Sequence, residues 1–206
     1  MKKVIIALDV PASGELRVPV GTIVTPAARE VAHSRGVRIV EVSDDQLPTA
    51  PPAKTVAIGA DHGGFRLKEI LKPILHSLDL EVRDVGVHAE LPADYPDLAV
   101  QVAELVASGA VTRGIVIDGA GIGSSIAANK VPGIRAALCY DKASARNSRE
   151  HNDSNVLTLG ARLLTATQAE DVLRTWLATP FAGGRHQARV QKITDIERRY
   201  LRKGAS

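Results

Sequence analysis

From residue 55 onward, short apolar runs alternate with amphipathic stretches, and this alternation limits the fold more than any other feature of the sequence. Strand-like runs stand at 55–59, 80–85, 115–117, 134–139 and 155–159. Helical patterns fall between and after them, at 65–78, 95–108, 124–130, 142–149, 167–177 and 187–202, with Pro73 expected to kink the first. Strands joined by helical crossovers pair in parallel, and a parallel sheet is covered by helices on both faces. The expectation is an α/β fold with a mostly parallel sheet.

Residues 1–53 read as a separate small extension, with the main domain at 54–206. A strand is expected at 4–8 and another at 37–42. Thr25 followed by Pro26 is an N-cap signal for a helix at 27–34, which Gly36 closes. Pro48, Pro51 and Pro52 mark a linker before the main domain. The only cysteine, Cys139, lies in an apolar run and is read as a small buried hydrophobe. A lone cysteine cannot form an internal disulfide, which favours a reducing compartment. Net charge is +3, with basic residues dispersed except near the C-terminus, so nucleic acid is not an expected partner. No run approaches the roughly 18 apolar residues that span a bilayer. The apolar run after Lys3 is five residues long before Asp9, too short for a signal peptide. No membrane association is expected, and the expected location is the cytoplasm.

Gly114-Ile-Val-Ile-Asp-Gly-Ala-Gly-Ile-Gly-Ser-Ser runs from a strand, through Asp118 and the glycines Gly119, Gly121 and Gly123, into a helix opened by Ser124. Such a turn exposes unpaired backbone N–H groups and the positive end of a helix dipole, which suits a phosphate or a reaction oxyanion. The spacing does not fit a dinucleotide fingerprint, because the third glycine follows the second by two residues instead of three. Asp61-His62 follows another strand. In a parallel sheet both turns should meet on one edge, where open α/β sheets place their sites. His151-Asn152 is read as a third polar turn, after a helix. Arg185 and Arg189 are four apart, on one helical face, a spacing suited to clamping a phosphate.

With those residues assembled, the main domain resembles the type B ribose-5-phosphate isomerase family, which includes galactose-6-phosphate isomerase subunits. The resemblance rests on Gly59-Ala-Asp-His-Gly-Gly-Phe-Arg-Leu-Lys68, Asp94-Tyr-Pro96, the glycine loop, Ile126-Ala-Ala-Asn-Lys130, Gly133-Ile-Arg135, Ser148-Arg-Glu-His-Asn-Asp153 and Gly184-Arg-His-Gln187. It implies a Rossmann-like three-layer α/β/α sandwich, a homodimer or tetramer with sites shared across an interface, and neither metal nor organic cofactor. The implied reaction is aldose–ketose isomerisation of a sugar phosphate, ribose 5-phosphate to ribulose 5-phosphate, through a cis-enediolate. By the same resemblance His151 opens the sugar ring and Asn152 holds the enediolate oxygens. His62, Arg185 and Arg189 take the phosphate with help from Arg162, Asp61 and Tyr95 shape the sugar end, and Gly119, Gly121 and Gly123 belong to the oxyanion loop.

The chain departs from the family pattern at the base. Many members carry a cysteine before the glycine loop, where this chain has Asp118. Others place a carboxylate at the position of Ser124, and the usual loop threonine or serine is Ala120. Aspartate is ionised at neutral pH where cysteine is not, so Asp118 is expected to replace the cysteine base. The alternatives are an isomerase of a four- or six-carbon sugar phosphate, or a non-catalytic sugar-phosphate-binding scaffold. Residues 18–32 weakly resemble segments of bacterial microcompartment-associated enzymes. That suggests recruitment of the chain to a shell or cargo partner through residues 1–53, or else a packing arm.

Overall fold

Local signals in the first unit of the chain give small elements that share one core. The computed structural model describes residues 4–5, 10, 14–43 and 55–203, and the chain divides into two units, Met1–Thr49 and Ala50–Ser206. In the first, β1 (Val4–Ile5) pairs in parallel with β3 (Ile23–Val24), and β2 (Glu15–Pro19) with β4 (Arg38–Val42). Thr25 accepts a hydrogen bond from Ala28 N at 3.3 Å and so caps α1 (Pro26–Ser34). Ile5, Val10, Val18, Ala28, Ala32 and Val37 form the core. The pattern did not announce β2 or β3, because β3 is two residues long and β2 buries only Val18. The proline-bearing stretch 44–53 lies outside the described residues, as do residues 6–8 of the first expected strand.

The second unit alternates as expected: β5 (Thr55–Ala60), α2 (Phe65–Ser77), β6 (Glu81–Asp84), α3 (Tyr95–Ala107), β7 (Arg113–Asp118), α4 (Ile122–Ala128), β8 (Ala136–Leu138), α5 (Lys142–Asn152), β9 (Val156–Gly160), α6 (Ala166–Ala178) and α7 (Arg185–Lys203). Its five strands run in the order β6-β5-β7-β9-β8, every pair parallel. Helices cover both faces, so the unit is a Rossmann-like α/β/α sandwich. Pro73 lies inside α2, which continues through it to Ser77.

Alternate residues along each strand serve different faces. Val56, Ile58, Ile115, Ile117, Leu157 and Leu159 pack with Leu71 and Leu75 of α2 and with Leu173 and Trp176 of α6. The opposite face is made of small residues, Ala57, Val116 and Val156, under Ala99, Val102 and Ala103 of α3. There α3 sits so close that a methyl group at Gly59 would lie 2.9 Å from Val102, and one at Gly114 2.6 Å from it. Each large side chain buried this way contributes about 1.5–3 kcal/mol. The close layering holds the carboxyl ends of β5, β7 and β9 side by side.

Candidate functional site

Asp61 follows β5, Asp118 ends β7, and Arg162 lies two residues past β9, so one sheet edge collects them. Asp61 is 8% exposed and its Oδ1 accepts from Gly64 N at 2.9 Å, folding the turn into α2. That turn lies flat on β7: Asp61 N donates to Ile117 O at 3.3 Å, and a methyl at Gly64 would collide with the same carbonyl. A methyl at Gly63 would stand 3.6 Å from Gly119 N. From the other side, Arg162 N donates to Gly119 O at 3.0 Å, and the Arg162 side chain runs within 3.5 Å of where a Gly119 methyl would be. The Tyr95 ring lies against Gly123, leaving no room for a side chain there. Tyr95, His62 and Arg162 are exposed. The structure therefore brings Asp61, Tyr95, Arg162 and the glycine loop together.

Asp118 is held by its own loop. It is 4% exposed, and its Oδ1 accepts from Ala120 N at 2.7 Å and from Gly121 N. Its Oδ2 accepts from Ser124 N at 3.0 Å and from Ser124 Oγ at 2.5 Å, with Ser124 fully buried. Gly121 sits at φ 76, a left-handed conformation that suits glycine and turns the chain back over the carboxylate. Three N–H groups of the cradle are thus spent on Asp118. Those of Gly119, Ile122 and Gly123 have no partner among the described residues and stay available to an oxyanion.

A second group forms where α5 ends. His151 and Asn152 were expected in a turn; they occupy the last turn of α5 instead, because the helix runs on until Asp153 takes φ 46. Asp153 is fixed there by Arg135 Nη2 at 2.9 Å and by Arg149 Nη1 at 2.8 Å. Arg149, itself buried, also donates to Ser154 O and lies over the Trp176 ring, 5.7 Å from its centre. Residues 179–184 then return past α5, with Ala182 N donating to Glu150 O at 3.1 Å. Gly183 and Gly184, at φ 61 and 53, make the left-handed turn that starts α7. That places His186 flat on His151, ring centres 4.1 Å apart and planes 5° from parallel. Asn147 Nδ2 lies 2.9 Å from His151 Nδ1, which orients the ring from its own helix. Arg185 and Arg189 are exposed on one face of α7, and apart from a long hydrogen bond from Arg185 Nε to His186 Nε2 they have no partner among the described residues.

His186 is the site residue that reading by motif left without a role. Its signal was its place between two arginines, but only the stacking shows what it touches. Among the described residues no hydrogen bond, ion pair or ring contact joins the group at the sheet edge to the group at the end of α5. No helix of the described residues is long and apolar enough to cross a membrane, and they hold no cluster of three or more His, Cys, Asp or Glu arranged for a metal.

Comparison with known proteins covers the second unit. A family model described as ribose/galactose isomerase matches residues 56–193. The chain is 47% identical over 146 residues to ribose-5-phosphate isomerase B of Escherichia coli strain K12, covering 71% of this chain and 98% of that protein. It is 40% identical over 141 residues to D-erythrulose-4-phosphate isomerase of Pectobacterium atrosepticum, covering 68% of this chain and 92% of the relative. Among solved structures, ribose-5-phosphate isomerase B of Clostridium thermocellum superposes with a TM-score of 0.70 at 52% identity, over 71% of this chain and 99% of that one.

Proposed function

The chain belongs to the ribose/galactose isomerase family, and we propose that this sugar phosphate isomerase interconverts ribose 5-phosphate and ribulose 5-phosphate through a cis-enediolate. The observation that carries the reading is the division of labour between the two groups. One holds a carboxylate and a glycine loop with N–H groups that have no partner among the described residues, and the other a histidine pair and two exposed arginines that make no ion pair among those residues. In this reading His151 opens the sugar ring and Asn152 holds the enediolate oxygens. His62, Arg185 and Arg189 bind the phosphate with Arg162, and Asp61 and Tyr95 line the sugar end. The N–H groups of the loop stabilise the oxyanion as it forms. A second copy of the chain brings its α5 end to the first copy's sheet edge, so the working unit is a homodimer with two shared sites.

Asp118 is the proposed base. Its four acceptor positions are all filled, so it takes a carbon-bound proton only after one donor leaves. The Ser124 hydroxyl is the donor that leaves by side-chain rotation alone, since the other three belong to the backbone. One observation favours Asp61 as a second reading: its Oδ1 accepts from Gly64 N in the turn before α2, while its Oδ2 accepts no hydrogen bond among the described residues. Turnover of ribose 5-phosphate by the parent chain, by Asp118→Asn and by Asp61→Asn decides between them. The variant that loses at least about 100-fold carries the base. Loss of turnover in the parent with retained binding of the sugar phosphate points instead to a four- or six-carbon substrate, or to a scaffold. Residues 1–53 lie outside the matched region, and we propose that they recruit the chain to a microcompartment shell or cargo partner. Co-sedimentation with shell proteins that survives deletion of 1–53 ends that proposal.

A further inference from the structure

We infer that His186 is a positioning residue that couples phosphate binding to ring opening, its ring face seating His151 and its Nε2 seating Arg185. The inference rests on the roles proposed above for His151 and Arg185, and it deepens them.

His186 is 7% exposed and stacked on His151 at 4.1 Å, so the ring that opens the sugar cannot tilt without moving it. Asn147 restrains the edge of His151 from within α5, and His186 restrains its face from α7. On its own edge His186 receives Arg185 Nε at 3.4 Å. A guanidinium only donates, so Nε2 must carry a lone pair and the neutral ring holds its proton on Nδ1. That Nδ1 is buried and has no hydrogen-bond partner among the described residues. An orphaned buried donor is a standing cost in a folded chain. Here it follows from turning the other ring nitrogen toward Arg185. Burial holds the His186 pKa below the ordinary histidine range, and the neighbouring His151, Arg185 and Arg189 add to this while Glu150 opposes it. The ring therefore stays neutral and keeps accepting from Arg185, whose Nη groups remain free to face a phosphate.

The coupling is physical because one rigid ring touches both partners. A phosphate that draws Arg185 into place draws His186 with it, and His186 carries the plane of His151. Loss of the ring and loss of the acceptor are separable. His186→Phe keeps a stacking face and removes the acceptor. His186→Gln removes the ring and presents an amide oxygen near the former Nε2.

The test uses the full chain, with inorganic phosphate affinity, the His151 ring-proton shift by NMR, and kcat and KM for ribose 5-phosphate as readouts. For His186→Phe the expected result is phosphate affinity and KM weakened about tenfold, as for one charge-assisted hydrogen bond. The upfield-shifted His151 resonance and kcat stay close to the parent. For His186→Gln the expected result is the reverse: phosphate affinity held within about threefold by the retained acceptor, the His151 resonance moved downfield, and kcat lowered. Equal loss of every readout in both variants marks a merely structural residue and overturns the inference, as does no change in either. If both variants fail to fold, nitrogen-15 shifts of His186 in the parent decide: a proton on Nδ1 supports the inference and one on Nε2 overturns it. Phosphate affinity and the NMR shift need no turnover. An inactive parent with the split intact therefore overturns the proposed reaction and supports the positioning role.

Discussion

The sheet edge and the end of α5 are both built from polar residues at element termini, yet they are satisfied to very different degrees. At the sheet edge, Asp118 is sealed under its own loop by four donors, while a backbone bond from Asp61 locks its turn to β7 and one from Arg162 locks its turn to the glycine loop. At the end of α5, two arginines face solvent, a ring nitrogen of His186 is orphaned, and the two imidazoles are held by one hydrogen bond each and by their stacking. The first group's carboxylate is satisfied within one chain, and its spare donors are backbone N–H groups of the loop. The second carries its spare donors on two exposed arginine side chains, and such donors belong where a ligand or another chain supplies the acceptors. A mutation at the sheet edge should therefore damage chemistry and stability together, whereas one at the arginines should damage binding alone.

The largest expected effect is at Asp118. Asp118→Asn should lose at least about 100-fold in kcat and also lower Tm, because its amide turns a donor toward the loop N–H groups. An unchanged Tm would break the comparison at its first term. Next comes mixing of two inactive chains, Asp118→Asn and His151→Ala. If each site takes one group from each copy, co-refolding should restore about a quarter of parental activity, since half the dimers are mixed and each has one intact site. No recovery would mean that both groups act within one chain. Arg185→Ala and Arg189→Ala should each raise KM about tenfold with stability unchanged within about 0.5 kcal/mol, measured by steady-state kinetics and urea unfolding. Ser124→Ala should cost about 1 kcal/mol in the same unfolding assay, as it removes one buried donor from Asp118.

Acid gives the smallest effect, first at His186 and then at Asp84, which ends β6 and pairs with Lys68 and Lys72 of α2. His186 has a lowered pKa, so the unfolded chain binds its proton more readily, and stability begins to fall as pH drops below about 6.5. At lower pH, Asp84 follows. Burial alone would raise its pKa, but Lys68 and Lys72 outweigh that and hold it below the usual carboxylate range. The stability it contributes is present above its unfolded pKa of about 3.9 and is lost as pH falls through the lower folded value. Unfolding midpoints across pH should show the two declines separately, and His186→Phe should remove the first.

The βα alternation, the strand–glycine–helix turn at 114–124 and the basic pair on α7 were legible because each is a local pattern within one or two turns of chain. Helix ends were less so. The pattern at 142–149 gives no sign that α5 continues to Asn152, since that depends on Asp153 being caught by Arg135 from a distant strand connection. In the first unit, β2 and β3 carry too few buried positions for their periodicity to show.

By itself, then, the sequence determined the layer architecture, the sheet edge on which Asp61 and Asp118 meet, and the residue types available for phosphate and proton transfer. Periodicity and turn chemistry act between near neighbours, which is why they can be read in one dimension. Only the tertiary structure decided how those groups are spent. Asp118 closes on its own loop, His186 lies flat on His151, and Arg185 is tethered through an imidazole while Arg189 has no partner among the described residues. These depend on distances between segments far apart in the chain, set by how closely α3 and α6 pack on the sheet and by the left-handed turn at Gly183 and Gly184. No local pattern encodes them.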